Sequence, residues 1–309
     1  MKKYPNIIAS HIVRSAKRVS HGGLYLVDLN SNKYKCVIDW NEKINWSGRG
    51  ADRGLRGICI YKDNVIVASS SSIVFYSFDF KRRASYSNEY LESCHETYIH
   101  KDKLYLSSTG RDVILCFDLL SRKFIKGYSV RGLKSIKEFN PLQSVDIPTG
   151  DRHHINNVFV NDSGIFFSGT NQPRLFKIDK QKIISFSQIP KGTHNTRFLN
   201  ENSLIMNDTK NNQILITDKK NGSIKKRYSI KRIPAKDMTN THLTQNISRQ
   251  PFGRGLALKG DWIIGGSTPG MISLYDMKRA NSNIKNVFIS NDLCMSIHGL
   301  EIWPFDIDF

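Results

Sequence analysis

The stretch "HINNVFVNDSGIFFSGTNQPRLFKIDKQKIISFSQI", residues 154–189, contains short β-rich runs separated by polar turns. The tight turn "NDSG" joins the first two runs, and the third ends in Asp179 before another short polar turn. Runs rich in β-branched and aromatic residues, bounded by turn residues, predict antiparallel strands joined as hairpins. Four such strands in about 40 residues are typical of one blade of a β-propeller.

The same pattern recurs along the chain. A β-rich run ends in aspartate at Asp28, Asp79, Asp118, Asp179, Asp218 and Asp276. Complete four-strand units begin at residues 56, 95, 154, 194 and 254. No segment has the periodicity of a long amphipathic helix. The chain is therefore predicted to be all-β.

The last unit is split between the two ends of the chain. "HGLEIWP" from residue 298 supplies an innermost strand, and residues 1–41 supply "NIIASHIV", "GGLYLVDL" and "KYKCVIDW". Pairing strands from both termini in one sheet removes the last open sheet edge. We therefore predict a single six-bladed β-propeller domain over residues 1–309, whose last blade is closed by both termini.

The residues that start the units are predicted to meet at one mouth of the central channel, because every innermost strand begins at the same face. They are Arg56, His95, His154, His194, Arg254 and His298. His154 lies one residue earlier than His95 and His194 do, and Arg254 is also one residue out of step; a β-bulge could absorb either slip. His153 is therefore the alternative channel-facing residue. Histidine at four equivalent positions indicates a binding site more than a packing requirement.

Two chemistries fit such a ring of side chains. The four histidines can hold a divalent transition metal, with Zn, Mn, Fe, Ni and Cu all suitable. An open coordination position would then polarise a substrate oxygen or activate water. The two arginines would bind a carboxylate or phosphate through paired hydrogen bonds. Alternatively, no metal binds, and the same side chains hold an anionic ligand directly.

Further candidates lie in loops predicted at the same mouth. Asp208 is the preferred carboxylate, either as general base or as metal ligand. His11 in "IASHIV" and His242 are secondary metal-ligand candidates. His242 belongs to one of two insertions, within 131–152 and 232–252, that the topology predicts on the mouth face, where loops can act as lids.

The overall charge favours an anionic partner. The formal net charge is +19, from 46 Lys and Arg against 27 Asp and Glu. Nucleic acid is a possible partner that no accompanying motif favours, and a Lys- and Asn-rich proteome is an alternative origin of the charge. The five scattered cysteines indicate reduced thiols. Without a signal peptide or an apolar run long enough for a membrane span, a cytoplasmic protein is predicted.

With these units identified, the chain resembles six-bladed propellers of the strictosidine-synthase-like and NHL-like kind over its whole length. The segments "FGRGLAL", "GGSTPGMISLYD" and "HGLEIWP" resemble an uncharacterised bacterial propeller family, which implies no activity. The histidine-ringed mouth is similar in type to the metal sites of propeller polysaccharide lyases such as oligogalacturonate lyase. The acidic calcium ligands of gluconolactonase-like hydrolases have no clear equivalents at the unit starts.

The functional expectation is a metal-dependent enzyme that acts on a small anionic or sugar-derived substrate. Lyase, hydrolase, isomerase and oxidase chemistry all remain open. The alternative is a non-catalytic propeller that binds an acidic ligand, a glycan or a protein partner. A third interpretation is a propeller that binds nucleic acid through its basic exterior.

Overall fold

The computed structural model describes residues 3–14, 19–43, 54–242, 248–279 and 281–309. In these ranges the chain forms 25 β-strands and two short 3₁₀ helices, Thr109–Arg111 and Ala235–Asp237. The strands are arranged in six sheets. The chain folds as a six-bladed β-propeller, as predicted.

Each sheet is one blade. The sheet that uses both termini contains β1 (Asn6–Val13), β2 (Val19–Asp28), β3 (Lys33–Lys43) and β25 (Met295–Trp303). The next two contain β4 (Ile58–Tyr61), β5 (Asn64–Ala68), β6 (Ser72–Tyr76) and β7 (Arg82–Ser87), and then β8 (Cys94–His100), β9 (Lys103–Ser108), β10 (Val113–Asp118), β11 (Lys123–Ser129) and β12 (Lys137–Phe139).

The other three sheets follow in chain order. They contain β13 (Ile155–Asn161), β14 (Gly164–Gly169), β15 (Arg174–Asp179) and β16 (Lys182–Gln188); β17 (Thr193–Asn200), β18 (Ser203–Asp208), β19 (Gln213–Asp218) and β20 (Ile224–Ser229); and β21 (Leu256–Lys259), β22 (Trp262–Ser267), β23 (Met271–Asp276) and β24 (Asn283–Phe288). The predicted unit starts lie within three residues of the first strand of each blade.

The last blade takes strands from both ends of the chain, which confirms the predicted closure. Strand β25 pairs antiparallel with β1, with Trp303 opposite Asn6 and Met295 opposite Val13. The sheet order is β25-β1-β2-β3, so β1 has a partner on each side. A register shift between Ser10 and His11 interrupts this ladder.

Residue contacts divide the chain into two compact units. The first comprises Met1–Ile58, Asn207–Leu215 and Lys226–Phe309, and the second comprises Cys59–Met206 and Ile216–Lys225. The prediction of a single domain stays a prediction.

Each unit has its own packing between neighbouring sheets. In the second unit, Phe75 on β6 and Phe117 on β10 are fully buried in one cluster that joins their sheets. In the first unit, Ile272 on β23 and Ile297 on β25 are also fully buried in one cluster that joins their sheets. Full burial of a side chain of this size contributes about 1.5–3 kcal/mol.

Two local features differ from the sequence-based expectation. Strand β6 ends at Tyr76, not at Asp79, because Ser77 and Lys81 close a turn in which the Ser77 hydroxyl donates to the Asp79 carboxylate. Part of the insertion 131–152 forms β12, which pairs with β11 as a fifth strand. The insertion is therefore not only a mouth-side loop.

Candidate functional site

The backbone at His154 is the most distinctive feature of the loop that leads into β13. His154 has a φ of +52°, in the left-handed region that residues other than glycine rarely adopt. The loop lies directly against β14, because a Cβ atom added to Gly169 would be 2.3 Å from the His153 carbonyl oxygen. Residues held in such conformations concentrate at functional sites.

Hydrogen bonds fix this loop on both sides of His154. The buried Asp112 carboxylate accepts the backbone N–H groups of His153 at 3.0 Å and Ile155 at 3.5 Å. The backbone N–H of Thr170 donates to the His154 carbonyl at 3.0 Å. Burial raises the pKa of Asp112 above its ordinary value, although the hydrogen bonds it accepts oppose that shift.

The His154 side chain is paired with a carboxylate. Its Nδ1 lies 2.8 Å from Oδ2 of Asp151, and the two side chains are 29% and 58% exposed. A neutral imidazole that donates Nδ1–H to a carboxylate keeps Nε2 as its basic nitrogen. An aspartate that orients a histidine in this way is the arrangement found in many general bases.

His95, in β8, lies beside His154. The two ring centres are 5.2 Å apart, with the rings inclined at 74°. Nδ1 of His95 is 2.8 Å from both the Ser93 carbonyl and the Thr109 hydroxyl, and that hydroxyl donates its own hydrogen to the Ile155 carbonyl. Because a carbonyl only accepts, Nδ1 of His95 carries a hydrogen, so in the neutral imidazole Nε2 is the unprotonated nitrogen.

His153 has a different role from its neighbour. Its Nε2 donates to the Arg131 carbonyl at 2.8 Å, and its Nδ1 accepts from the Gln172 amide at 3.0 Å. Both ring nitrogens are thus used in holding the loop, and the residue is buried. His154, not His153, is the histidine that contacts His95.

The remaining predicted residue of the second unit is His194, at the second position of β17. It is buried, and the next residue, Asn195, also has a left-handed backbone with a φ of +54°. The Asn195 amide donates to the Glu96 carboxylate, one residue beyond His95.

In the first unit, the structure brings Arg254 and His298 together. Nη1 of Arg254 donates to Nε2 of His298 at 2.7 Å, so this imidazole nitrogen is an acceptor and carries no hydrogen. The Arg56 side chain is buried, and its backbone carbonyl accepts a hydrogen bond from the Ser10 hydroxyl.

Asp208 is almost fully buried at the end of β18. Its carboxylate accepts hydrogen bonds from the Asn211 amide at 2.9 Å and from the Gln213 amide at 2.8 Å. These bonds hold the turn between β18 and β19. Its role as a general base or metal ligand stays a prediction.

The two secondary histidines of the first unit differ in environment. His242 is exposed in a turn. His11 is buried in β1 with its ring 5.1 Å from that of Tyr25. Among the described residues, its Nδ1 has no hydrogen-bond partner. Burial, assisted by the nearby His21, lowers the pKa of His11 from 6.5 to about 4.

The lowered pKa of His11 predicts a specific acid sensitivity. Between pH 6.5 and about 4, the unfolded chain takes up a proton at this residue and the folded chain does not. The free energy of unfolding therefore falls as the pH falls, by about 3 kcal/mol over this range. Denaturant titrations at pH 7 and pH 4 should show a smaller fall for His11→Phe than for the wild type. Equal falls would contradict the prediction.

The described residues contain no group of three or more His, Cys, Asp or Glu side chains placed to hold a metal ion. The predicted metal site stays a prediction. In the same part of the chain, no helix has the length and apolar character of a membrane span. A cytoplasmic location stays a prediction.

One signal for this site was present in the sequence and was missed. Asp151 stands three residues before His154 in the same polar stretch, "DRHH". A carboxylate three residues away can reach a histidine where the chain bends, and residues 152 and 153 form such a bend.

Comparison with known proteins gives the fold only. No protein-family model matches this chain, and no curated protein matches it. A solved protein of unknown function from Bacteroides caccae has a TM-score of 0.54 at 9% identity, covering 94% of this chain and 98% of that one. A chain of the nidogen/laminin complex has a TM-score of 0.57 at 9% identity, covering 96% of this chain and 97% of that one. A streptogramin B lyase has a TM-score of 0.53 at 11% identity, covering 82% of this chain and 95% of that one. The chain is thus similar in fold, but not in sequence, to these proteins, and it belongs by architecture with the six-bladed β-propellers.

Proposed function

We propose that this propeller is an enzyme in which His154 acts as a general base and Asp151 orients it. The observation that carries the proposal is the 2.8 Å contact between Nδ1 of His154 and the Asp151 carboxylate. The carboxylate holds the imidazole in one tautomer and stabilises the imidazolium that forms when Nε2 takes a proton.

The surroundings of His154 support this role. Its side chain is partly exposed, so a substrate can reach it, whereas its backbone is fixed by Asp112 and Thr170. A fixed backbone below a partly exposed imidazole favours proton transfer, because the geometry of the catalytic group is set before the substrate arrives. The adjacent His95 is buried, and its ring centre lies 5.2 Å from that of His154.

The substrate class follows from charge. A net charge of +19 favours a small anionic or sugar-derived molecule. A lyase or hydrolase reaction is the proposed type, because both use a general base. The streptogramin B lyase has a similar fold, and its name motivates one substrate to try. In a metal-dependent form of the proposal, Nε2 of His95 and Nε2 of His154 would bind the metal, because the proposed tautomers leave these two nitrogens unprotonated.

The tautomers of the two neighbouring histidines test the proposal without a known substrate. Nitrogen NMR of the imidazoles should find the hydrogen of His154 on Nδ1 and that of His153 on Nε2. Asp151→Asn should shift the tautomer equilibrium of His154 and leave His153 unchanged. An Nε2–H tautomer for His154 in the wild type would overturn the proposed role.

A further inference from the structure

A cleft with a volume of about 560 Å³ lies in the first unit. Three segments line it: 3–6, which leads into β1; 259–262, which joins β21 to β22; and 302–306, which contains the end of β25. Small-molecule sites in proteins have volumes of about 300–1,000 Å³, so this cleft is large enough for one. We call it the β1–β25 cleft.

Hydrogen bonds hold the walls of the cleft in place. The Asn30 side chain accepts the backbone N–H of Tyr4 at 2.7 Å and donates to the Tyr4 carbonyl at 2.9 Å. The Asn6 side-chain amide donates to the Phe305 carbonyl at 2.8 Å, and Asn6 lies opposite Trp303 in the ladder between β1 and β25. Walls that are already fixed lose less conformational freedom when a ligand binds.

Two pairs of aromatic rings line the cleft. The ring centres of Tyr4 and Trp262 are 5.2 Å apart, with the rings inclined at 84°. Those of Trp303 and Phe305 are 5.3 Å apart, at 71°. Both are the edge-to-face contacts that aromatic pairs prefer. Phe305 is 45% exposed and Trp303 only 6%, so a buried ring orients an accessible one.

The charged side chains that line the cleft balance one another. They are two lysines, Lys3 and Lys259, and two aspartates, Asp261 and Asp306. Nζ of Lys3 lies 3.0 Å from the Asp306 carboxylate, and Nζ of Lys278 lies 2.6 Å from that of Asp261. The lining charges therefore sum to zero in a chain whose net charge is +19. A neutral ligand suits such a cleft better than an anion does.

We propose that the β1–β25 cleft binds a neutral saccharide. One face of a pyranose ring presents C–H bonds, which carry slight positive charge and stack on the negative face of an aromatic ring such as Phe305. The sugar hydroxyls donate charge-assisted hydrogen bonds to carboxylates, and Asp261 and Asp306 supply these acceptors. The four side chains of the two ion pairs are each at least half exposed, so redirecting a carboxylate toward a ligand costs little.

The acceptors of the cleft favour a saccharide over a proline-rich peptide, which also binds aromatic grooves. Proline has no backbone N–H, so such a peptide offers carbonyl acceptors and few donors. It would leave the carboxylates of Asp261 and Asp306 without a donor from the ligand. The proposal does not depend on the role of His154, which belongs to the second unit.

A titration of the full chain tests the ligand class through the indole N–H NMR signals of Trp262 and Trp303. The neutral probes are maltotriose, cellotriose and xylotriose, the anionic probe is trigalacturonate, and the peptide probe is decaproline. We expect at least one neutral trisaccharide to shift both signals, and to bind more tightly than trigalacturonate and decaproline. No shift with any neutral probe at millimolar concentration would overturn the proposal. Equal or tighter binding of trigalacturonate or decaproline would overturn it as well.

Variants locate the binding site. Phe305→Ala should weaken saccharide binding by about tenfold, because it removes the accessible ring. Asp306→Asn should weaken it by about threefold or more, because an amide oxygen is a weaker acceptor than a carboxylate. The matched control is Phe288→Ala, which removes a phenylalanine that is 43% exposed on β24 and does not line the cleft. Unchanged affinity in Phe305→Ala, or an equal loss in the control, would contradict the proposed site.

A measurement on the wild type covers the case in which the variants do not fold. Trp40 is buried on β3, in the same sheet as β25, and does not line the cleft. The neutral trisaccharide should shift the indole signals of Trp262 and Trp303 and leave that of Trp40 in place. Equal shifts of all three signals would count against the cleft as the site.

Discussion

His154→Ala is expected to lower kcat/KM by about 10²–10⁴-fold, the usual contribution of a positioned general base. The loss should appear in kcat, because the imidazole acts in the proton-transfer step and not in substrate binding. Asp151→Asn should give a smaller loss, of about tenfold or more, because the amide cannot hold the same tautomer.

The assay uses a defined panel of substrates. Oligogalacturonates represent sugar acids, and gluconolactone represents lactones. Streptogramin B is included because it appears in the name of a protein with a similar fold. Product formation is followed by mass spectrometry, with and without added divalent metals. An unchanged turnover in His154→Ala would show that another residue is the base.

The matched control for this variant is His100→Ala. His100 also contacts an aspartate, with its Nε2 3.2 Å from the Asp162 carboxylate, and it lies in the same strand as His95. Asp162 also pairs with Lys101 at 2.7 Å. Removal of this pair tests whether any histidine–aspartate contact in the unit affects turnover, and we expect no effect.

The blade pattern was predictable because it repeats. The aspartate at the end of a β-rich run marks the true strand end at Asp28, Asp118, Asp179, Asp218 and Asp276. At Asp79 the same signal failed, because the Ser77 hydroxyl and the Lys81 backbone form a turn two residues before it. The alternating pattern predicts that a strand is present, but it does not predict that a serine ends the strand early.

The candidate site was only partly predictable. The repeat identified His95 and His154 as equivalent, and they are in contact. It could not distinguish His153 from His154, because the left-handed backbone that separates their roles depends on Asp112 and Thr170, which are distant in the sequence. The repeat pattern gives no information about contacts between residues that are distant in the sequence.

Arg14, Arg249 and Arg254 lie around the Phe252 ring, and this arrangement was not predictable for the same reason. Arg254 was identified from its repeat position, but Arg14 and Arg249 occupy no equivalent position in other blades. Arg14 reaches Phe252 through the closure of the last blade, where its backbone bonds to Cys294. Predicting that the two ends of the chain pair, without knowing which residues lie opposite one another, does not give the position of an individual side chain.

Deletion of residues 295–309 is expected to abolish cooperative folding, because it removes β25 and leaves β1 as an open edge. The deleted strand buries Ile297, Leu300 and Trp303, each with at most 6% of its surface exposed. At about 1.5–3 kcal/mol for each such side chain, the loss is comparable to the entire stability of an ordinary domain, about 5–15 kcal/mol. The exposed edge would also favour aggregation.

A shorter deletion separates closure from the loss of the tail. Removal of residues 304–309 leaves β25 intact and takes away mostly exposed residues, with the hydrogen bond from Asn6 to the Phe305 carbonyl. This variant should melt within a few degrees of the full chain in a circular dichroism scan, since a loss of about 1 kcal/mol shifts Tm only slightly in a chain of this size. If the longer deletion also melts cooperatively near the same temperature, the pairing of β1 with β25 does not hold the blade together. If both deletions unfold the chain, the last six residues, and not the closing strand alone, are what the fold requires.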